Sequence, residues 1–194
     1  MISIDTIKQL REETGVSVIE VKKALEEAQG DMVKAKELLR SLGKKMSDKK
    51  ISRETNAGMI DYYVHPNLKT GVLLDIRCES DFVAQSPDFK QLSHEVCLQI
   101  VAMKPLFVKE ADVPQELLDT ETKIYKAQLA DSGKSESMVA QILEGKLKKY
   151  QESVCLLSQA WIKDDSKTVK NLVEEAVSKL GENIEIKRFV CYEM

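Results

Sequence analysis

Val72-Leu73-Leu74-Asp75-Ile76-Arg77-Cys78-Glu79-Ser80-Asp81-Phe82-Val83-Ala84-Gln85-Ser86-Pro87-Asp88 is the stretch around which the chain is organised. Val72, Leu74, Ile76 and Cys78 alternate with Asp75, Arg77 and Glu79 on the opposite side, which is the period of a half-buried strand. Downstream, Phe89, Leu92, Val96, Ile100 and Met103 recur at steps of three and four, so 86–103 is predicted as an amphipathic helix. Ser86 is its expected cap, Pro87 its first turn and Pro105 its end. Asp81-Phe82 thus falls on a short strand-to-helix crossing, where binding residues tend to collect.

Upstream, Ala57 to His65 alternates again, with Ile60, Tyr62 and Val64 on one face and Met59, Asp61 and Tyr63 on the other. Pro66 to Gly71 reads as a turn, so the two strands form an antiparallel hairpin with one wet face. Downstream, helices from about Gln115 to Ala130 and from about Ser135 to Leu157 flank Ser132-Gly133 and form a helical hairpin. Ser158 to Ser166, with Trp161, reads as a loop. Val169, Leu172, Val173, Ala176, Val177 and Leu180 make another helical face, closed by Gly181. Ile184, Ile186 and Val190 suggest a last strand, broken at Arg188-Phe189 by a bulge.

The first 43 residues read as three short helices. Ile4, Ile7 and Leu10 share a face, and Thr14-Gly15 ends that helix with a left-handed glycine. Ser17 and Glu20 form a capping box for the second, whose stripe is Val18, Val21, Leu25 and Ala28. Asp31 caps the third, which carries Met32, Ala35, Leu38, Leu39 and Leu42 and is expected to stop at Gly43. From Gly43 to Asn56 the chain is rich in Lys44, Lys45, Lys49, Lys50 and Arg53. That composition reads as a solvated linker or a basic nucleic-acid patch. The linker reading is preferred, because no aromatic residues are interleaved to stack on bases. The expected organisation is therefore α+β: a three-helix bundle in 1–43, a charged linker in 44–56, and in 57–194 a small antiparallel sheet of about three strands packed with helices.

Composition narrows the function. With 194 residues the chain can bury a proper core. A net charge of −3 argues against an electrostatic nucleic-acid binder. No apolar run reaches about 20 residues, so no membrane span is expected, and the N-terminus lacks the pattern of a signal peptide. Cys78, Cys97, Cys155 and Cys191 fit no zinc spacing and suit a reduced, cytosolic protein. There is no phosphate-binding G-x-x-x-x-G-K-[ST] loop, and His65 and His94 have no nucleophile at a readable spacing. Neither an enzyme activity nor a bound cofactor or metal is expected.

Cys78 to Gln85 closely resembles the Thr-Asp-Phe-Val-Ala-Arg signature of the elongation factor Ts family, the nucleotide exchange factors of bacterial translation. Ser80 stands in place of Thr and Gln85 in place of Arg. Leu10 to Gly15, Lys22 to Leu25 and Gly30-Asp31 resemble the ubiquitin-associated-type domain that opens that family, with Val18-Ile19-Glu20-Val21 where Met-Met-Asp-Cys is frequent. Lys163 to Val169, Leu180 to Ile184 and Lys187 to Val190 resemble the end of its core. The chain has room for one core unit, as in short members.

The resemblance implies a partner, elongation factor Tu. It implies that Ser80, Asp81, Phe82 and Val83 push into the magnesium side of the partner's nucleotide site. Arg11, Val18 and Ile19 would face the partner's nucleotide-binding domain. Read from the residues alone, Phe82 falls between a core and an exposed position. Periodicity puts Val18 in the bundle core and leaves Ile19 one residue off the stripe. A homodimer is expected through the edge of the last strand, near Ile184 to Tyr192, steadied through Cys191. Two other readings remain at this level: a ubiquitin-like-binding adaptor using the bundle, and an RNA-binding protein.

Overall fold

The computed structural model describes residues 2–129 and 135–194, with the side chains of Lys44 and Met46 left aside. Its first three helices are α1 (Ile4–Thr14), α2 (Val18–Glu27) and α3 (Met32–Lys50). Each begins where a short polar side chain can take an orphan amide. Ser3 accepts from Thr6, Ser17 from Glu20, and Asp31 from Val33 and Lys34. Gly15, at φ 66°, ends α1. Leu10, Val16, Val21, Leu25, Ala35 and Leu39 form the centre of this bundle's core.

The third helix does not stop at Gly43. It continues to Lys50, so the first half of the expected linker is helical. A Cβ placed on Gly43 would lie 3.5 Å from Ser178 Cβ. Gly43 is thus a contact residue between helices, where α3 lies against α8 (Val169–Leu180). The packing overrides glycine's low helix propensity.

Strands β1 (Ala57–Val64), β2 (Thr70–Cys78) and β5 (Ile184–Glu193) form an antiparallel sheet in the order β1-β2-β5. Val72, Leu74, Ile76 and Cys78 point inward, opposite Tyr63, Asp61, Met59 and Ala57 of β1. Helix α5 (Pro87–Met103) covers that face with Phe89, Leu92, Val96 and Ile100, and α8 adds Val169, Val173 and Val177. Ser86 caps α5 by accepting from the Phe89 amide. His94 of α5 meets the Tyr63 ring edge-on at 5.8 Å.

Where β5 pairs with β2, Asp75 faces Arg188 and Ile76 faces Ile186, so Lys187 is the extra residue. The bulge sits one position earlier than expected. It reverses the alternation: Ile184 and Ile186 face the core, while Val190 turns outward and Phe189 and Cys191 turn inward.

Helices α6 (Gln115–Leu129) and α7 (Glu136–Val154) pack against each other as the expected hairpin. Neither has a fully buried residue. Ala130 and the Ser132-Gly133 turn lie outside the described residues. The hairpin's base is tied to the core, since the amides of Leu106 and Phe107 both donate to the Val154 carbonyl.

The stretch expected as a loop after α7 instead carries a two-stranded sheet, β3 (Ala160–Trp161) and β4 (Asp164–Thr168). Fully buried Gln99 on α5 fixes it. Its side-chain amide donates to the Ala160 carbonyl at 3.0 Å and its oxygen accepts from the Ile162 amide at 2.9 Å. The polar run Asp164-Asp165-Ser166-Lys167 gives no strand period, so the strands are marked by tertiary contacts such as this one and not by hydrophobic alternation.

Candidate partner-docking site

The crossing after β2 is a single helical turn, α4 (Asp81–Ala84), capped by Ser80. Val83 and Ala84 are buried in the core cluster. Phe82 points the other way and is 87% exposed. Asp81 is also exposed. The turn thus presents an acid and an aromatic ring to solvent while its other side is anchored. The core position open to Phe82 in the sequence is taken by Val83, so of the four implied site residues only Asp81 and Phe82 offer side chains freely.

Ser80 is occupied within its own chain. Its hydroxyl donates to Glu182 Oε1 at 2.5 Å, and its amide donates to Glu182 Oε2 at 3.0 Å. The Val83 amide donates to the same hydroxyl, and the Cys78 thiol donates to the Ser80 carbonyl at 3.2 Å. Glu182 also accepts from the Glu79 amide at 3.1 Å. In return, the Glu79 carboxylate accepts from the Asn183 amide at 2.6 Å. The Asn183 side chain then donates to the Arg53 carbonyl at 2.9 Å. Gly181 makes this possible: at φ 80° it turns the chain out of α8 and sends Glu182 back toward β2. Burial, with the Glu182 charge beside it, raises the Cys78 thiol above its usual range, which keeps it a neutral donor.

On the bundle, Arg11 is exposed, Val18 is 46% exposed and Ile19 is 68% exposed. Val18 is therefore not the core residue that periodicity suggests. It opens α2, and Val16 in the preceding turn closes that end of the core instead. Ile19 is on the surface, as its place off the stripe allows.

The end of the bundle that carries Arg11 lies beside the start of α5, which follows α4 in the chain. Arg11 lines a shallow cleft with Gly15 and Lys179, and Lys179 is ion-paired with Asp88 at 2.7 Å, at the start of α5. Lys50, almost buried at the end of α3, lies within the fields of Glu79, Glu20 and Glu182. Burial first, then neighbouring Arg53, hold its ammonium below the usual lysine range.

A second exposed apolar surface is the outer face of the sheet. Ile60, Tyr62 and Val64 of β1, Leu73 of β2, and Val190 and Tyr192 of β5 all point to solvent. Tyr62 pairs with Leu73, and Leu73 with Val190, so they form one row across three strands. Sequence alternation separated the two faces of β1 correctly but could not say that the more apolar one is outermost. Cys191 is on the other side, packed against the core.

The brace around Ser80 was not read from the sequence. Glu182 is one of 32 acidic residues, and only its position after a helix-ending glycine sets it apart. Among the described residues no group of three or more His, Cys, Asp or Glu side chains is placed to hold a metal ion. No described helix is long and apolar enough to cross a membrane.

With this geometry in view, comparison with known proteins assigns the family. A family model described as elongation factor TS matches residues 4–194. The chain is 51% identical over 193 residues to elongation factor Ts of Thermotoga petrophila, covering 100% of this chain and 96% of that protein. It is 48% identical over 192 residues to elongation factor Ts of Thermosipho melanesiensis, covering 99% and 98%. To elongation factor Ts of Coprothermobacter proteolyticus it is 47% identical over 189 residues, covering 97% and 96%. These matches place the chain among the elongation factors of protein biosynthesis. It belongs to the elongation factor Ts family.

Proposed function

We propose that this chain is a cytoplasmic guanine nucleotide exchange factor that binds elongation factor Tu in its GDP state, dislocates its magnesium ion and promotes release of GDP so that GTP can bind. It works by binding rather than by covalent chemistry and needs no cofactor. The observation that carries the reading is Phe82, a large ring held in solvent on a turn whose next two residues are buried.

A GTPase holds its nucleotide through backbone amides and a magnesium ion bridging the phosphates. Magnesium demands near-ideal octahedral geometry, so small shifts of its surroundings weaken nucleotide binding. Phe82 is the wedge. Its burial in the partner contributes about 1.5–3 kcal/mol toward displacing partner elements. Asp81 beside it hydrogen-bonds partner groups and disturbs the magnesium environment. Ser80 and Val83 hold the turn. Arg11, Val18 and Ile19 dock on the partner's nucleotide-binding domain from the bundle.

Linkage limits the mechanism. If this chain weakens nucleotide affinity by some factor, nucleotide weakens the chain's own affinity by the same factor. Incoming GTP then displaces it, and the direction of exchange follows nucleotide concentrations.

The working form is a homodimer. The row Tyr62-Leu73-Val190, flanked by Val64 and Tyr192, supports pairing through the outer sheet face rather than through the β5 edge. Cys191 lies on the opposite side of the sheet, so this pairing needs no disulfide.

The function is tested with purified elongation factor Tu loaded with fluorescent GDP. Adding this chain in excess unlabelled nucleotide is expected to accelerate GDP release. Unchanged release with both proteins folded would reject the reading.

A further inference from the structure

We infer that Glu182 is a positioning residue for the exchange turn: its carboxylate sets Asp81-Phe82 in advance in the conformation the GTPase partner receives. The inference rests on the reading of Phe82 given above.

Helix α4 has four residues and cannot hold itself, because a first helical turn is costly to nucleate. Phe82 is almost wholly solvated, so its own packing does not orient it. Val83 and Ala84 anchor the distal side of the turn in the core. The proximal side depends on Ser80, where the strand must end and the helix begin.

Three of the hydrogens that fix this point go to one carboxylate. Glu182 takes the Glu79 amide at 3.1 Å, the Ser80 amide at 3.0 Å and the Ser80 hydroxyl at 2.5 Å. Bonds to an ionised acceptor are shorter and stronger than neutral ones. The reciprocal bond from the Asn183 amide to Glu79 keeps Glu182 from swinging away. Asn183 extends the brace to Arg53, behind the end of α3, so the turn is referenced to the same region that carries the bundle.

The chemistry gives a graded test. Glu182→Gln keeps one oxygen that can accept both backbone amides. Glu182→Ala leaves those amides and the Ser80 hydroxyl without it. A role in stability alone would lower the melting temperature and leave the limiting rate of GDP release unchanged. A positioning role lowers the limiting rate.

The experiment is GDP release from the partner GTPase as a function of concentration, with the wild-type chain, Glu182→Ala, Glu182→Gln and Phe82→Ala, each checked for native fold by circular dichroism. If Glu182→Ala leaves the turn ordered about a tenth of the time, and the bundle docks equally well whichever way the turn lies, docking does not shift that population and the limiting rate falls about tenfold. The half-saturating concentration, set by the other docking residues, moves less than about threefold. Glu182→Gln restores most of the rate. In the wild type, the Glu79 and Ser80 amides exchange with deuterium as slowly as their sheet neighbours.

A folded Glu182→Ala with the wild-type limiting rate overturns the inference. So do Glu79 and Ser80 amides that exchange at unprotected rates in the wild type, which decides the matter if Glu182→Ala does not fold. Phe82→Ala separates the two readings. A slow Phe82→Ala beside a fast Glu182→Ala rejects the positioning role alone, whereas a wild-type rate for Phe82→Ala rejects the wedge on which it rests.

Discussion

Phe82 and Val83 are adjacent in the chain and opposite in environment: the ring is 87% exposed and the valine 4%. The four-residue helix that carries them turns one side to solvent and the other to the core. Their substitutions should therefore separate. Phe82→Ala removes a solvated ring and is expected to change stability by less than about 0.5 kcal/mol. Val83→Ala deletes buried methyl groups from the main core and is expected to cost about 2 kcal/mol. Urea unfolding of the two variants checks this. A Phe82→Ala variant as unstable as Val83→Ala would mean that the ring is buried in solution.

Asp75 gives the sheet an acid-sensitive element. The Arg77 guanidinium grips its carboxylate with bonds of 2.7 and 3.0 Å, and Arg188 approaches from β5 at 3.4 Å. The hydrogen bonds from Arg77 hold the carboxyl below the usual aspartate range. A folded-state value below the unfolded one stabilises at pH above the unfolded value of about 3.9. That contribution is lost as pH falls through the folded value. The melting temperature should drop as pH is lowered from about 5 to 3, and Asp75→Asn should drop less over the same interval while starting lower at neutral pH. An identical pH dependence in the two proteins would exclude this role.

Gly43 is a glycine inside a helix, with no positive φ to require it. A methyl group there meets Ser178 at an ordinary contact distance of 3.5 Å. Gly43→Ala should stabilise the protein by about 0.4–1 kcal/mol, mainly by restricting the unfolded chain. Calorimetry would show a raised melting temperature. A lowered one would mean that α3 and α8 lie closer together in solution.

The outer sheet face predicts the oligomeric state. Replacing Tyr62 and Val190 by glutamate puts like charges on both sides of a face-to-face pairing, where they repel once desolvated. Light scattering should report a dimer mass for the wild type and a monomer mass for the double variant, with unchanged circular dichroism. A wild-type monomer at micromolar concentration would contradict the dimer, and a dimeric double variant would move the interface elsewhere.

Much of this was legible in the sequence because it depends on local period and punctuation. The 3.6-residue stripes of α5 and α8, the caps at Ser17, Asp31 and Ser86, and the alternation of β1 and β2 can be read directly. What was not legible depends on contacts far apart in the chain. Gly43 reads as a helix stop because its neighbour Ser178 is invisible locally. The β3–β4 pair is hidden because Gln99, about sixty residues upstream, supplies what hydrophobic alternation does not. The bulge at Lys187 decides that Val190 faces solvent, and periodicity cannot locate a bulge to one residue. At the candidate site, Asp81 and Phe82 stand out by their place at a strand-to-helix junction and by their resemblance to the family signature. Glu182 was missed because a hydrogen-bond acceptor carries no pattern of its own.

The most direct measurement is stopped-flow release of fluorescent GDP from elongation factor Tu, comparing the wild-type chain with Phe82→Ala at saturating concentration. Strong acceleration is expected from the wild type, and near-basal release from a Phe82→Ala protein that melts at the wild-type temperature. Equal acceleration by both proteins would contradict it, because the exposed ring of α4 would then have no part in displacing the nucleotide.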